Sequence, residues 1–174
     1  KRTVKFMGYA AEEVGLRGSA AIASQFQSAG INVVGVLQLD MTNYRVGVPY
    51  HLQFITDHVN ATLLTFSYAL FDTYLAPQGL IRRSITCGYA CSDHASWTSK
   101  SFPAVMASES GDTTYEFFPY LHTGNDTLAY IGNTAASSVP FAQFGLAVLG
   151  ELAKTAARPQ AILSDGFEDS ETDG

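Results

Sequence analysis

The chain has 174 residues, a formal net charge of −6, 47% hydrophobic residues and only 15% charged ones. That length sustains one sizeable domain with its own core, and charge well below the roughly 25% of an average globular chain argues against a disordered polymer. The negative balance leaves no electrostatic footprint for nucleic acid or an anionic membrane, and no uninterrupted apolar stretch approaches the ~18–20 residues of a membrane span.

The first run, "TVKFMGYA" (3–10), alternates and is β-rich, which predicts a strand. A leader or earlier segment is therefore expected upstream of Lys1. "GLRGSAAIASQFQSAG" carries apolar residues at helical spacing and ends on glycine, which predicts a helix of about 12 residues. "INVVGVLQLDM" (31–41) is almost continuously apolar, as in a strand buried on both faces. Strand, helix, strand within so short a span is a βαβ unit and points to a parallel-centred α/β sheet. "LQFIT" (52–56) reads as a further strand, and "HVNATLLTFSYALFDTYL" (58–75) as an amphipathic helix stopped near Pro77 and Gly79. "SFPAVMAS" (101–108) reads as a short core strand, 111–133 as a long loop, and 137–156 as a closing helix. Residues 1–158 are thus assigned to a single domain and 159–174 to an acidic tail or linker, with five acidic residues in "DGFEDSETDG". No internal repeat is evident.

Three acidic features close apolar runs. Glu12 and Glu13 follow the first predicted strand, and Asp40 ends "VVGVLQLD". Adjacent carboxylates repel, so the glutamate pair is either a solvated negative helix start or is held by something positive. Asp40 favours the second reading, because packing does not explain a charge at the end of a core strand. Ligands of open α/β sheets sit at the carboxyl ends of strands, and carboxylates with the imidazole of His122 suit a divalent metal, zinc first. One glutamate can then bind metal while its neighbour serves as a base for metal-bound water. Cys87 and Cys91, in "CGYAC", allow either a local disulfide or two free thiols. A disulfide would imply an oxidising compartment.

Taken together, "YAAEEVGLRGS", "LQLDMTNY", "CGYACSDHASW" and "LHTGNDTL" closely resemble the secreted bacterial leucyl aminopeptidases of the M28 metallopeptidase family, colinearly from about residue 3 to 150. The resemblance implies a three-layer α/β fold, with a mixed, mostly parallel sheet between helices. It implies a cocatalytic two-zinc exopeptidase that removes apolar N-terminal residues from peptides. Glu12 matches the general base, Glu13 and His122 ligands of one zinc, and Asp40 a ligand of the other. Tyr89 matches a tyrosine that supports the substrate carbonyl oxygen, and Cys87 and Cys91 match a disulfide. Met41, Ile55, Met106 and Leu121 fall where the family lines its apolar pocket, while Ser108 stands where an aromatic pocket residue is expected.

One departure is large. The family takes a histidine and a metal-bridging aspartate from an upstream H-x-D-type motif, and His51, His58 and His94 have no such context. The chain therefore reads as the C-terminal portion of the catalytic domain, incomplete at its N-terminus. An associated N-terminal segment is expected, without which residues 1–174 should be inactive and bind zinc poorly. "SDHASW" is not a serine-protease triad by contiguity alone, since triads are defined by geometry and no G-x-S-x-G elbow occurs. His94 is instead expected to fix its loop and Trp97 to join the core. "NAT" (60–62) and "NDT" (125–127) fit the glycosylation sequon. The competing assignments are a one-zinc acyltransferase of the glutaminyl-cyclase type and a metal-free, receptor-like binding domain with the same fold.

Overall fold

The computed structural model describes residues 2–109 and 117–153. The acidic tail, residues 110–116 of the long loop and the last three residues of the predicted closing helix lie outside them. Among the described residues, four helices and four strands carry the architecture: α1 (Arg17–Ser28), β1 (Val36–Leu39), β2 (Leu52–Ile55), α2 (Ala61–Tyr74), β3 (Arg82–Ile85), α3 (His94–Ser99), β4 (Ala104–Ser108) and α4 (Val139–Ala153).

The sheet runs β1-β4-β2-β3. β1 pairs parallel with β4, β2 pairs parallel with β3, and β2 runs antiparallel to β4 with Phe54 opposite Ala107. The expected mixed, mostly parallel sheet between helices is what forms. Alternation along each strand sends neighbouring side chains to opposite faces. Val105 and Ala107 of β4, with Leu52 and Phe54 of β2, pack under α2 and α4 against Leu70, Phe71, Phe141 and Phe144. Ala104 faces the other layer, where Trp97 of α3 and Ala23 of α1 form a second cluster flanked by Met7, Tyr9 and Phe26. Phe54 anchors the first core through edge contacts to Tyr68, Phe71 and Phe144 at 5.3, 6.3 and 5.2 Å.

Local chemistry fixes the helix ends. The Asn60 side chain accepts the Leu63 N–H at 2.9 Å and caps α2. After α2 the chain makes a single 3-10 turn through Pro77 and then turns left-handed at Gly79. Residues 136–153 reach a mean hydropathy of 1.2 over 18 residues, enough by length and composition for a membrane span. Phe141, Phe144 and Val148 of that stretch are built into the core, while Val139 and Leu146 are exposed.

Three expectations are corrected. Residues 3–9 run without ladder pairing and form no strand, because no described segment lies alongside to exchange backbone hydrogen bonds. The predicted strand 31–41 contracts to Val36–Leu39 and is only half-buried, being paired on one side alone. β3 was not foreseen, since Arg82-Arg83-Ser84-Ile85 lacks apolar alternation; it stands at the sheet edge, where charge is tolerated.

Candidate active site

The glutamate pair sits in a tight turn rather than on a helix. The N–H groups of Gly15 and Leu16 donate to the Glu12 carbonyl at 3.0 and 2.9 Å, and those of Arg17 and Gly18 to Ala11 and Ala10. The first turn of α1 thereby folds against the backbone that leads into the pair. Gly18 is required there, because an added Cβ would stand 2.4 Å from the Ala10 carbonyl oxygen. α1 has no acidic residue in its first turn, so Glu12 and Glu13 do not serve as its N-terminal charge.

This turn faces the end of β1 and the loop of residues 117–123. His122 Nε2 lies 2.9 Å from Glu13 Oε1. Both side chains open onto a cavity of about 400 Å³ that Asp40 also lines. Asp40 Oδ2 accepts a hydrogen bond from Ser92 Oγ at 2.7 Å, which orients the carboxylate from behind. Burial pushes the Glu12 carboxyl above the usual carboxylate range, and the nearby carboxylates of Asp40, Glu13 and Asp93 push it the same way against the opposing His122. Ala11 and Leu16, which flank the pair, Met41, which follows Asp40, and His122 itself are all left-handed without being glycine. Such backbone is costly and is held only where its surroundings impose it.

The rest of the cavity is apolar on one side, with Met41, Phe118, Leu121 and Ile131, and carries Glu109 and Asp126 besides. Ile55 and Met106, expected in the pocket, are fully buried in β2 and β4 and do not line it. Ser108 is buried as well. Tyr89 stands outside the cavity lining and is 66% exposed, on the loop closed by the Cys87–Cys91 disulfide. That loop is gripped by Asp57, whose carboxylate accepts the N–H groups of Cys87 at 3.0 Å and Gly88 at 2.7 Å.

"SDHASW" does not act as a unit. Ser92 turns to Asp40, while His94 is buried with Nε2 3.4 Å from the Asp57 carbonyl oxygen. Burial holds the His94 imidazole below its ordinary pKa. Trp97 is in the core and donates to the Tyr9 hydroxyl at 2.8 Å. Asn60 of the first sequon is engaged as the α2 cap.

Glu13 and His122 converge, with Asp40 on the same cavity wall; carboxylate oxygen and imidazole nitrogen are donor types that suit a borderline divalent cation. Among the described residues, no group of three or more His, Cys, Asp or Glu side chains gathers as a complete metal cluster. Ser92, Asp57 and Glu109 were missed from sequence. The first two act across 52 and 30 residues with no local signal. Glu109 did carry one: it is an acid closing the apolar run of β4, as Asp40 closes that of β1.

Residues 1–147 match the family described as Peptidase family M28. Leucine aminopeptidase 1 of Arthroderma otae is 42% identical over 134 residues, an alignment covering 74% of this chain and 35% of that protein. The chain thus spans about a third of the length of this curated relative. Among solved structures, the LapA aminopeptidase of Legionella pneumophila superposes with a TM-score of 0.74 at 33% identity, covering 84% of this chain and 38% of that one. LapB of the same organism gives 0.74 at 35% identity, covering 85% and 39%. With Glu13, Asp40 and His122 lining one cavity on a mixed α/β sheet, Glu12 within electrostatic reach of all three, and the match running through nearly all the described residues, the chain belongs to peptidase family M28.

Proposed function

We propose that the chain supplies part of the active site of a cocatalytic dizinc aminopeptidase, which removes apolar, leucine-type N-terminal residues from peptides. The observation that carries this reading is the meeting of Glu13 and His122 at 2.9 Å on the cavity wall that also holds Asp40. These donor types fit zinc, and Glu13 and His122 would hold one ion and Asp40 the other. Bound there, zinc supplies Lewis acidity toward the scissile carbonyl and a water of lowered pKa. Glu12, beside a ligand yet not one itself, takes a proton from the attacking water and returns it to the departing amine as the C–N bond breaks. Tyr89, outside the cavity lining in this structure, is assigned by the family resemblance alone as the hydroxyl that would donate to the carbonyl oxygen as negative charge develops.

The apolar wall of Met41, Phe118, Leu121 and Ile131 receives the first side chain. An acidic side chain entering the same space meets the carboxylate of Asp126, and no lysine or arginine among the described residues lines it. Burying an unpaired charge costs several kcal/mol, whereas each buried methylene gains only about 0.8 kcal/mol. Exclusion of acidic residues is therefore sharper than discrimination among apolar ones.

The remaining metal donors, a histidine and a bridging carboxylate, are assigned to an N-terminal segment of the same protein. Supporting this are the relatives' greater length and the open edge of β1. The Cys87–Cys91 bridge supports placing the protein outside the reducing cytosol, as a secreted enzyme.

The test is a panel of aminoacyl anilides with the complete enzyme. Leu, Met and Phe derivatives are cleaved in preference to Asp and Glu, and a zinc chelator abolishes turnover. An Asp derivative as best substrate contradicts the pocket. Cyclisation of Gln-initiated peptides without hydrolysis would favour the acyltransferase, and absence of zinc a binding domain.

A further inference from the structure

Glu109 is a buried acid with no cation against it. Its residue is 3% exposed, and no lysine or arginine among the described residues forms an ion pair with it. A lone buried carboxylate is costly unless hydrogen bonds replace its hydration. Here backbone donors do so. Oε2 accepts the Tyr44 N–H at 3.0 Å, and Oε1 accepts the Phe118 N–H at 2.8 Å. The backbone N–H of Glu109 itself donates to the Met41 carbonyl oxygen at 2.6 Å.

These partners belong to two segments that approach the cavity from different parts of the chain. Residues 41–44 follow directly on Asp40, and Phe118 stands four residues before His122. Glu109 leaves the end of β4, next to β1 in the sheet, and reaches both. We propose that Glu109 is a positioning residue, whose carboxylate ties the segment after Asp40 to the segment bearing His122 and so sets the spacing of the metal donors. The inference rests on the zinc reading of the site. It assigns Glu109 no contact with metal or substrate.

The chemistry explains why glutamate stands here. A carboxylate offers only acceptors, which matches a set of N–H donors arriving from both sides. Glutamine keeps the shape but presents an NH₂ donor to one of those N–H groups, so one tie is lost and two donors confront each other. Partners that orient metal ligands typically contribute about 10–100-fold to metal affinity or activity.

The experiment compares wild type, Glu109→Gln and Leu70→Ala in the complete enzyme. Leu70 lies in the α2 core, away from the cavity, and controls for general destabilisation. Two readouts are taken: backbone hydrogen exchange of the metal-stripped protein, and zinc affinity by chelator competition. The expected result for Glu109→Gln is faster exchange confined to residues 42–44 and 117–122, with zinc affinity lowered about 10–100-fold. Leu70→Ala lowers Tm without either change. Wild-type exchange in those two segments, or a loss of zinc affinity that Leu70→Ala reproduces, overturns the proposal. Should the glutamine variant not fold, Glu109→Asp carries the same two readouts, its shorter reach loosening the tie. A wild type that binds no zinc would sink the functional reading instead, leaving the exchange result to judge the tie.

Discussion

The two edges of the sheet are built differently. β3, at one edge, carries Arg82 and Arg83 in its four residues. Arg82 lies over the Tyr68 ring at 4.3 Å and forms a two-pronged pair with Asp72 at 2.8 and 2.7 Å. Charges of this kind protect an edge from further pairing. β1, at the other edge, reads Val36-Leu37-Gln38-Leu39, has no charge, and leaves Leu39 38% exposed. In the N-terminal run, Phe6 is 86% exposed and Val4 40%. The contrast teaches that β3 is composed as a terminal strand and β1 as an interior one. That supports the proposal that further chain lies beside β1 in the complete enzyme.

The largest effect expected from this contrast is all-or-none. A verified chain of residues 1–174 alone takes up little zinc and shows no peptidase activity, and adding the upstream segment restores both. Full activity without any companion fragment would break the comparison. Next in size is Phe54→Ala, on the finished side of the sheet, which removes a fully buried ring at a cost of about 3–5 kcal/mol by denaturant unfolding. Phe6→Ala in the chain alone stays within about 0.5 kcal/mol, as for other surface positions. A distinctly larger cost in the complete enzyme would sharpen the comparison, by showing Phe6 covered there; equal small costs in both would weaken it.

Smaller still in stability is loss of the disulfide beyond β3. Its loop is short, so the entropic contribution falls at the low end of the ~0–5 kcal/mol range. The Cys87→Ser/Cys91→Ser double variant therefore keeps a nearly native Tm, while freeing Tyr89 lowers kcat by about tenfold or more. A fall in Tm with unchanged kcat would detach Tyr89 from the mechanism. A similarly small effect belongs to Asp72→Asn at the protected edge, about 0.2–1 kcal/mol at neutral pH. The hydrogen bonds from Arg82 hold the Asp72 carboxyl below its usual range, so the contribution is present above the unfolded carboxyl pKa and lost as pH falls through the folded one. The gap between wild type and variant should accordingly close below about pH 4. A gap that persists in acid would mean the pair is not its source.

Much of the architecture was legible because burial imposes a period. α1, α2, α4, β2 and β4 all announced themselves through apolar spacing, and Pro77 with Gly79 marked the stop after α2. β3 was not legible, because an edge strand needs backbone partners more than an apolar face. The run 3–10 misled for the converse reason: it has strand composition but no described partner. At the site, Glu12, Glu13 and Asp40 stood out as charges ending apolar runs, and the same signal marked Glu109. Ser92 behind Asp40 and Asp57 beneath the disulfide loop depend on contacts that only folding creates. Ile55 and Met106 illustrate a further limit, since both are fully buried in their strands and absent from the cavity lining.

The central claim is that Glu12 moves the proton while Glu13, Asp40 and His122 hold the metal. Turnover of a leucyl anilide by the complete, zinc-loaded Glu12→Gln variant, with its zinc content measured on the same sample, tests this most directly. Glutamine keeps the shape of the side chain and removes its proton acceptor. The expected result is unchanged zinc with kcat lowered by about 10²–10⁴-fold or more. Turnover near the wild-type rate would take Glu12 out of the base role, and loss of zinc along with activity would make it a ligand instead.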